Sequence, residues 1–184
     1  MMRCFLGLGL AVTLAGCATG PFGTPWSDDG RREARLLQEN DLIQAKMLVA
    51  AADPDGYELA DALLTRAGPK DKTGETEFYR AVLMIRQEAQ PDDIVRHLER
   101  AAKREHPHAI ALLYKVYNEP YLVDNADPEK AAQYRTAYGG LNVAKSGYPS
   151  FQKALDLVSA LVATPPAMAI EQAATPDETA PTIQ

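Results

Sequence analysis

The sequence predicts an all-α fold of antiparallel helix pairs, and three observations carry that prediction. A turn recurs: Ala102-Lys103-Arg104-Glu105-His106-Pro107-His108-Ala109 leads into Leu113 and Val116, and Ala144-Lys145-Ser146-Gly147-Tyr148-Pro149-Ser150-Phe151 leads into Leu155 and Val158, each residue 42 positions from its counterpart. In both copies a helix ends, the chain turns and proline opens the next helix, where its missing N–H costs nothing. A small-residue pattern recurs as well, with Asp41, Ala45, Leu48 and Ala51 matched by Asp127, Ala131, Tyr134 and Ala137, and more weakly by Val95, Leu98 and Ala101. The small residue lets a neighbouring helix approach, and the residue three further on packs beside it. Finally, prolines 54, 69, 91, 107, 120, 128 and 149 fall at helix starts or in loops and never inside an apolar stripe.

The elements follow in order. Arg3 precedes an apolar run from Phe5 to Leu14, too short for the roughly 20 apolar residues that span a bilayer. The run ends in Leu14-Ala15-Gly16-Cys17, so residues 1–16 read as a signal peptide. Residues 17–28, with Gly20, Pro21, Gly23 and Pro25, have no periodicity and read as a tether. Ser27 with Asp28 and Asp29 is a plausible helix start, a hydroxyl cap with carboxylates near the positive end of the dipole. The domain at 29–163 then carries predicted helices over 29–39, 41–52, 55–66, 75–88, 92–103, 107–118, 128–145 and 149–163. Asp127-Pro128 opens the seventh with a carboxylate cap and a proline at the first helical position, and Gly139-Gly140 should bend or break it. The connection from Asn118 to Asp127 is long and carries Tyr121, Leu122 and Val123, apolar residues that need cover. Residues 164–184, with four prolines among alanines, threonines and acids, read as a disordered tail.

Composition narrows the function. The 184 residues carry a net charge of −6, which becomes −7 without Arg3, and this argues against nonspecific nucleic-acid binding. Of the two cysteines, Cys4 leaves with the signal and Cys17, ending a stretch that resembles a lipobox, would be acylated, so no thiol would remain for a disulfide, a metal or a nucleophile.

The run ending in Cys17 resembles the bacterial lipobox. That resemblance implies cleavage before Cys17, acylation of Cys17 and, with Ala18 rather than Asp next, sorting to the periplasmic face of the outer membrane. Several acyl chains on one residue would hold the protein there, where one chain would not. Helix pairs of about 36 to 42 residues with a His-Pro or Gly-x-Pro turn between units resemble the Sel1-like branch of tetratricopeptide repeats, which implies a short right-handed solenoid. A closer likeness is to the outer-membrane lipoproteins of bacterial alginate biosynthesis. It rests on the lipobox followed by Asp41-Leu42 and Ala45, then Gly56-Tyr57, Leu59-Ala60-Asp61, Leu112-Leu113-Tyr114, Tyr117, Pro120, Asn125, Gln133 and Gly147-Tyr148-Pro149. This chain stops after about four helix pairs, where that family continues through many more.

Catalytic signatures are thin. His106-Pro107-His108 with Glu105 and His97 is the best metal candidate, but the proline opens a helix and the imidazoles need not converge, while tetrahedral sites take three or four convergent ligands. Gly68-Pro69-Lys70-Asp71-Lys72-Thr73-Gly74 has the letters of a phosphate loop in the wrong order and reads as a surface turn. No Gly-x-Ser-x-Gly elbow occurs. The expectation is therefore a protein that is not an enzyme and uses no cofactor or metal. The tyrosines are more suggestive. Tyr117 and Tyr134 sit at packing positions of the repeat and are expected in the core; Tyr121, Leu122, Val123 and Tyr138 are the expected partner-binding residues. The leading expectation is a periplasmic scaffold holding envelope proteins, such as an export porin or polymer-modifying proteins, in an exopolysaccharide assembly. The alternatives are a glycan-binding module, a general envelope adaptor unrelated to polysaccharide export, and an enzyme or metal protein.

Overall fold

Every regular element among the described residues is helical, as the sequence predicts. The computed structural model describes residues 26–147 and 149–163. The eight helices are α1 (Trp26–Ala51), α2 (Tyr57–Ala67), α3 (Glu75–Arg86), α4 (Pro91–Ala102), α5 (Pro107–Asn118), α6 (Pro128–Gly140), α7 (Asn142–Ser146) and α8 (Phe151–Val162), with 3-10 turns at Pro54–Gly56 and Gly68–Lys70. The leader, Cys17 and the tail at 164–184 lie outside the described residues, as does Tyr148.

The pairs α1–α2, α3–α4 and α5–α6 pack within themselves, α4 joins α5, and α8 lies on α5. Side chains show that the first pair is antiparallel: Gln38 Nε2 donates to the Ala67 carbonyl, Arg66 clamps Asp41, and Tyr57 Oη donates to the Ala52 carbonyl. One apolar core runs through all the pairs, from Ala45 and Val49 through Phe78, Leu98, Leu112 and Leu113 to Ala154 and Val158. Of the recurring small residues, Ala45, Ala101 and Ala131 are buried at helix contacts, whereas Ala51 and Ala137 are exposed.

Three boundaries differ from expectation. The helices expected over 29–39 and 41–52 are one, α1, because nothing in Glu39-Asn40-Asp41 breaks a helix. Asp41 is therefore not a cap like Asp127; it sits mid-helix, buried, with both carboxylate oxygens on the Arg66 guanidinium at 2.5 and 2.6 Å. Those hydrogen bonds outweigh the cost of its burial and hold its carboxyl below the usual range. Ser27 likewise lies inside α1, which starts at Trp26, within the expected tether at 17–28 and ahead of the expected domain start at 29. The last helix starts at Phe151 rather than 149, because Ser150 is the cap, its hydroxyl accepting from Lys153 N at 3.2 Å. The seventh expected helix does break after Gly140, giving α6 and the short α7.

The turn at 68–74 is organised by Asp71, whose carboxylate accepts from the backbone N–H and hydroxyl of both Thr73 and Thr76. Burial pushes Asp71 up, but these bonds outweigh it and keep it ionised. Gly74 is required there, since its φ is +77° and an added Cβ would lie 2.8 Å from the Ala101 carbonyl oxygen. The repeated turn ends α4 with Glu105 at φ +59° and α7 with Gly147 at φ +81°, so equivalent positions adopt the same left-handed conformation.

Candidate partner-binding surface

The connection from Glu119 to Asp127 folds back over α4 and makes one wall of an open cleft. Asp127 N donates to the Tyr117 carbonyl at 2.8 Å and so closes the connection on itself, while the Asp127 carboxylate caps α6 through Lys130 N at 3.0 Å. Within it, Leu122 holds a left-handed φ of +62°, strained backbone for a bulky side chain. The cleft has a volume of about 610 Å³. Gln90, Asp92, Asp93, Val95, Arg96 and Glu99 of the α4 segment line one side, with Tyr117 and Val123 opposite. Arg96 is paired with Asp93, so Asp92 and Glu99 leave the rim with an acidic balance.

Behind that wall the aromatic residues are committed to one another. Tyr117 is buried and stacks on Tyr134 at 5.9 Å with their planes 7° apart, and Lys130 Nζ lies 4.7 Å from the Tyr117 ring centre. Tyr134 is half-buried, and burial with the nearby Glu99 charge pushes its hydroxyl up to about 12. A second cleft of about 490 Å³ lies between α2, α3 and α4, lined by Tyr57, Glu58, Asp61, Arg80, Met84 and His97 among others. Its polar groups pair across helices: Arg80 with Asp61 at 2.7 Å, and His97 and Arg100 both on Glu77, at 2.6 and 3.1 Å. Burial raises the Glu77 carboxyl, but these partners pull it below its ordinary value.

The expected partner-binding residues divide. Tyr121, Leu122 and Val123 are half-buried and packed on the core, and of the three Val123 lines the cleft. Burial raises the Tyr121 hydroxyl, which is enclosed without a hydrogen-bond partner among the described residues. Tyr138 is corrected: it is 1% exposed, its hydroxyl donates to the Pro149 carbonyl at 2.8 Å, and its ring meets Phe151 edge-on at 5.1 Å. It locks α6 to the start of α8 and offers nothing to a partner. Arg96 and Glu99 were not singled out from the sequence, since their spacing shows only a solvated helix face.

The histidines do not converge. His106 is buried as the cap of α5, its Nδ1 accepting from Ala109 N at 3.3 Å, and it stacks on Phe78 at 4.8 Å. His108 lies 5.6 Å from it ring to ring, Glu105 is exposed, and His97 is held by Glu77 in the other cleft. Among the described residues no group of three or more His, Cys, Asp or Glu is placed to hold a metal ion, and no helix is long and apolar enough to cross a membrane. Fold and surface together define an all-α array of helix pairs with open polar clefts. No protein family, curated protein or solved structure matches this chain.

Proposed function

We propose that the protein is a noncatalytic scaffold, lipidated at Cys17 and held at the periplasmic face of the outer membrane, whose helical array grips a protein partner in an exopolysaccharide export assembly of the alginate type. The observation that carries the choice of a protein over a glycan is the engagement of the tyrosines. Stacking a sugar takes a free aromatic face, whereas around this cleft Tyr117 is held by Tyr134 and Lys130, Tyr138 is buried and Tyr121 is packed on the core, and a polyanion such as alginate meets like charge at the acidic rim. What the array offers instead is an open cleft with an acidic rim and apolar side chains, Val95 and Val123, on its two walls, suited to an extended segment bearing Lys or Arg. The lipid anchor and the polysaccharide pathway rest on the resemblance of the sequence.

Two experiments test the reading. Replacing Cys17 by Ser should leave an uncut or soluble precursor; normal outer-membrane residence of that variant refutes the anchor. Cross-linking in intact cells should recover one envelope protein with the wild type and lose it with Glu99→Arg, while membrane attachment and melting temperature hold. Unchanged capture by Glu99→Arg, or tight binding of isolated protein to alginate, refutes the cleft as a protein site.

A further inference from the structure

The strongest feature left unused is the outer ridge of α1. Of the six exposed large apolar side chains among the described residues, Leu36, Leu37, Ile43 and Met47 belong to this helix. An α-helix turns roughly 100° per residue. Ala45 is buried on the side from which Gln38 and Asp41 reach α2, and Lys46 points at α3, where it meets Glu75 and Tyr79. Leu36, Ile43 and Met47 therefore fall about half a turn from the α2 face and contact neither neighbour. The first turns of α1 are barer still. Gln38 already bonds the last residue of α2, so the helix before it runs past the end of its partner, and of residues 29–37 only Ala34 is even half-buried. A stretch of that length is marginal as a helix without something to pack on.

The spacing says what packs on it. Leu36, Asn40, Ile43, Met47 and Ala50 follow one another by 4, 3, 4 and 3 residues, the a/d seam of a coiled coil with one polar member. We propose that the occupant is a second copy of this chain, with the two α1 helices antiparallel about a twofold axis between Asn40 and Ile43. That register sets Leu36 against the partner subunit's Met47 and Asn40 against the partner subunit's Ile43, and the same in reverse.

The flanking charges select this orientation. In the antiparallel register Glu39 faces the partner subunit's Lys46, a pair of opposite signs that occurs twice by symmetry, while Arg32 falls beyond the partner helix, which ends at Ala51. Lys46 keeps its contact with Glu75 and gains a second carboxylate. A parallel pair would instead set positions 32, 39 and 46 against Leu37, Gln44 and Ala51, with no ion pair. The single Asn40 in the seam fixes this register at some cost in affinity, the role such residues play in coiled coils.

The test is sedimentation velocity of the full-length protein in one detergent, over a concentration range of about 1 to 100 µM, where a small interface of this kind is half-filled. A reversible monomer–dimer equilibrium is expected. Ile43→Asp should raise the dissociation constant tenfold or more with an unchanged melting temperature, because the side chain is exposed in the monomer. Glu39→Lys and Lys46→Glu should each weaken association several-fold, and an equimolar mixture of the two should recover it. A chain monomeric at every concentration, or a dimer indifferent to Ile43→Asp, overturns the proposal and leaves the ridge to another occupant. A mixture that fails to recover overturns the antiparallel register.

Discussion

Acid should destabilise this protein through His106 well before its carboxylates titrate. The imidazole is 7% exposed, caps α5 through Ala109 N and lies on the Phe78 ring, so only its neutral form fits. Burial, with a smaller contribution from the neighbouring His108, lowers its pKa from 6.5 to about 3, against the opposing pull of Asp71. A group whose folded value is depressed in this way stabilises the fold fully above its unfolded value, and the contribution is lost as pH falls toward the folded value. Between pH 7 and pH 5 the unfolded chain takes up this proton while the folded chain does not, which costs about 2 kcal/mol. Asp41, Asp71 and Glu77 are all lowered from values of 3.8 to 4.5, so their contribution disappears mainly below pH 5. His97 and His108 are also depressed by burial and add to the total. The measurement is therefore a difference: urea unfolding of wild type and His106→Asn at pH 7 and pH 5. Asparagine keeps a cap acceptor but does not titrate. It starts less stable through the lost ring contact, and the gap to wild type should narrow by about 2 kcal/mol on going to pH 5. A gap that stays constant across this range would refute a neutral, buried His106.

Three further changes probe the array. Glu105 holds φ +59° where its repeat counterpart is Gly147, so Glu105→Gly should relieve a left-handed strain of about 1 to 2 kcal/mol, less glycine's entropic cost of about 0.5 to 1. The melting temperature should rise by a few degrees, and a fall would show that the side chain contributes something its exposure hides. Gly74→Ala meets both a positive φ and the Ala101 carbonyl, and should cost about 2 kcal/mol or more in denaturant unfolding. Ala131, 2% exposed on α6 and part of the core shared with α5, has no room for a ring. Ala131→Phe should cost roughly 1 to 3 kcal/mol and lose partner capture while Cys17 processing persists; wild-type melting would contradict the proposed repeat register.

How much of this was legible follows from what each signal measures. Proline, glycine and capping residues act within a few positions, and the local elements they mark were readable: Asp127-Pro128 at α6, Pro107 at α5, the break after Gly140. Asp41 and Asp127 stand at matching positions of the repeat, yet only Asp127 opens a helix. A carboxylate reads alike in sequence whether it caps a helix or meets an arginine 25 residues away, and Arg66 decides which. The same limit applies to Ser27 and Ser150, both good caps by composition, of which only Ser150 has its helix starting one residue later.

The surface was less legible than the core for the same reason. A tyrosine at helical spacing announces area to bury without saying whether protein or solvent will cover it, and Tyr138 is covered by Phe151 and Pro149 from beyond the next turn. The cleft, by contrast, is lined by Asp92, Arg96 and Glu99, whose sequence signature is that of any solvated helix face. It becomes a concavity because the 119–127 connection folds back over α4, held by the packing of Tyr121, Leu122 and Val123 on the core and by the backbone bond from Asp127 to Tyr117. The ridge of α1 inverts the case. Its 4-3-4-3 spacing is fully local and readable, but only the positions of α2 and α3 tell that Leu36, Ile43 and Met47 are the face left over. A helix that uses one side for its own fold and repeats a seam on the other is organised for two partners, and only the first is within this chain.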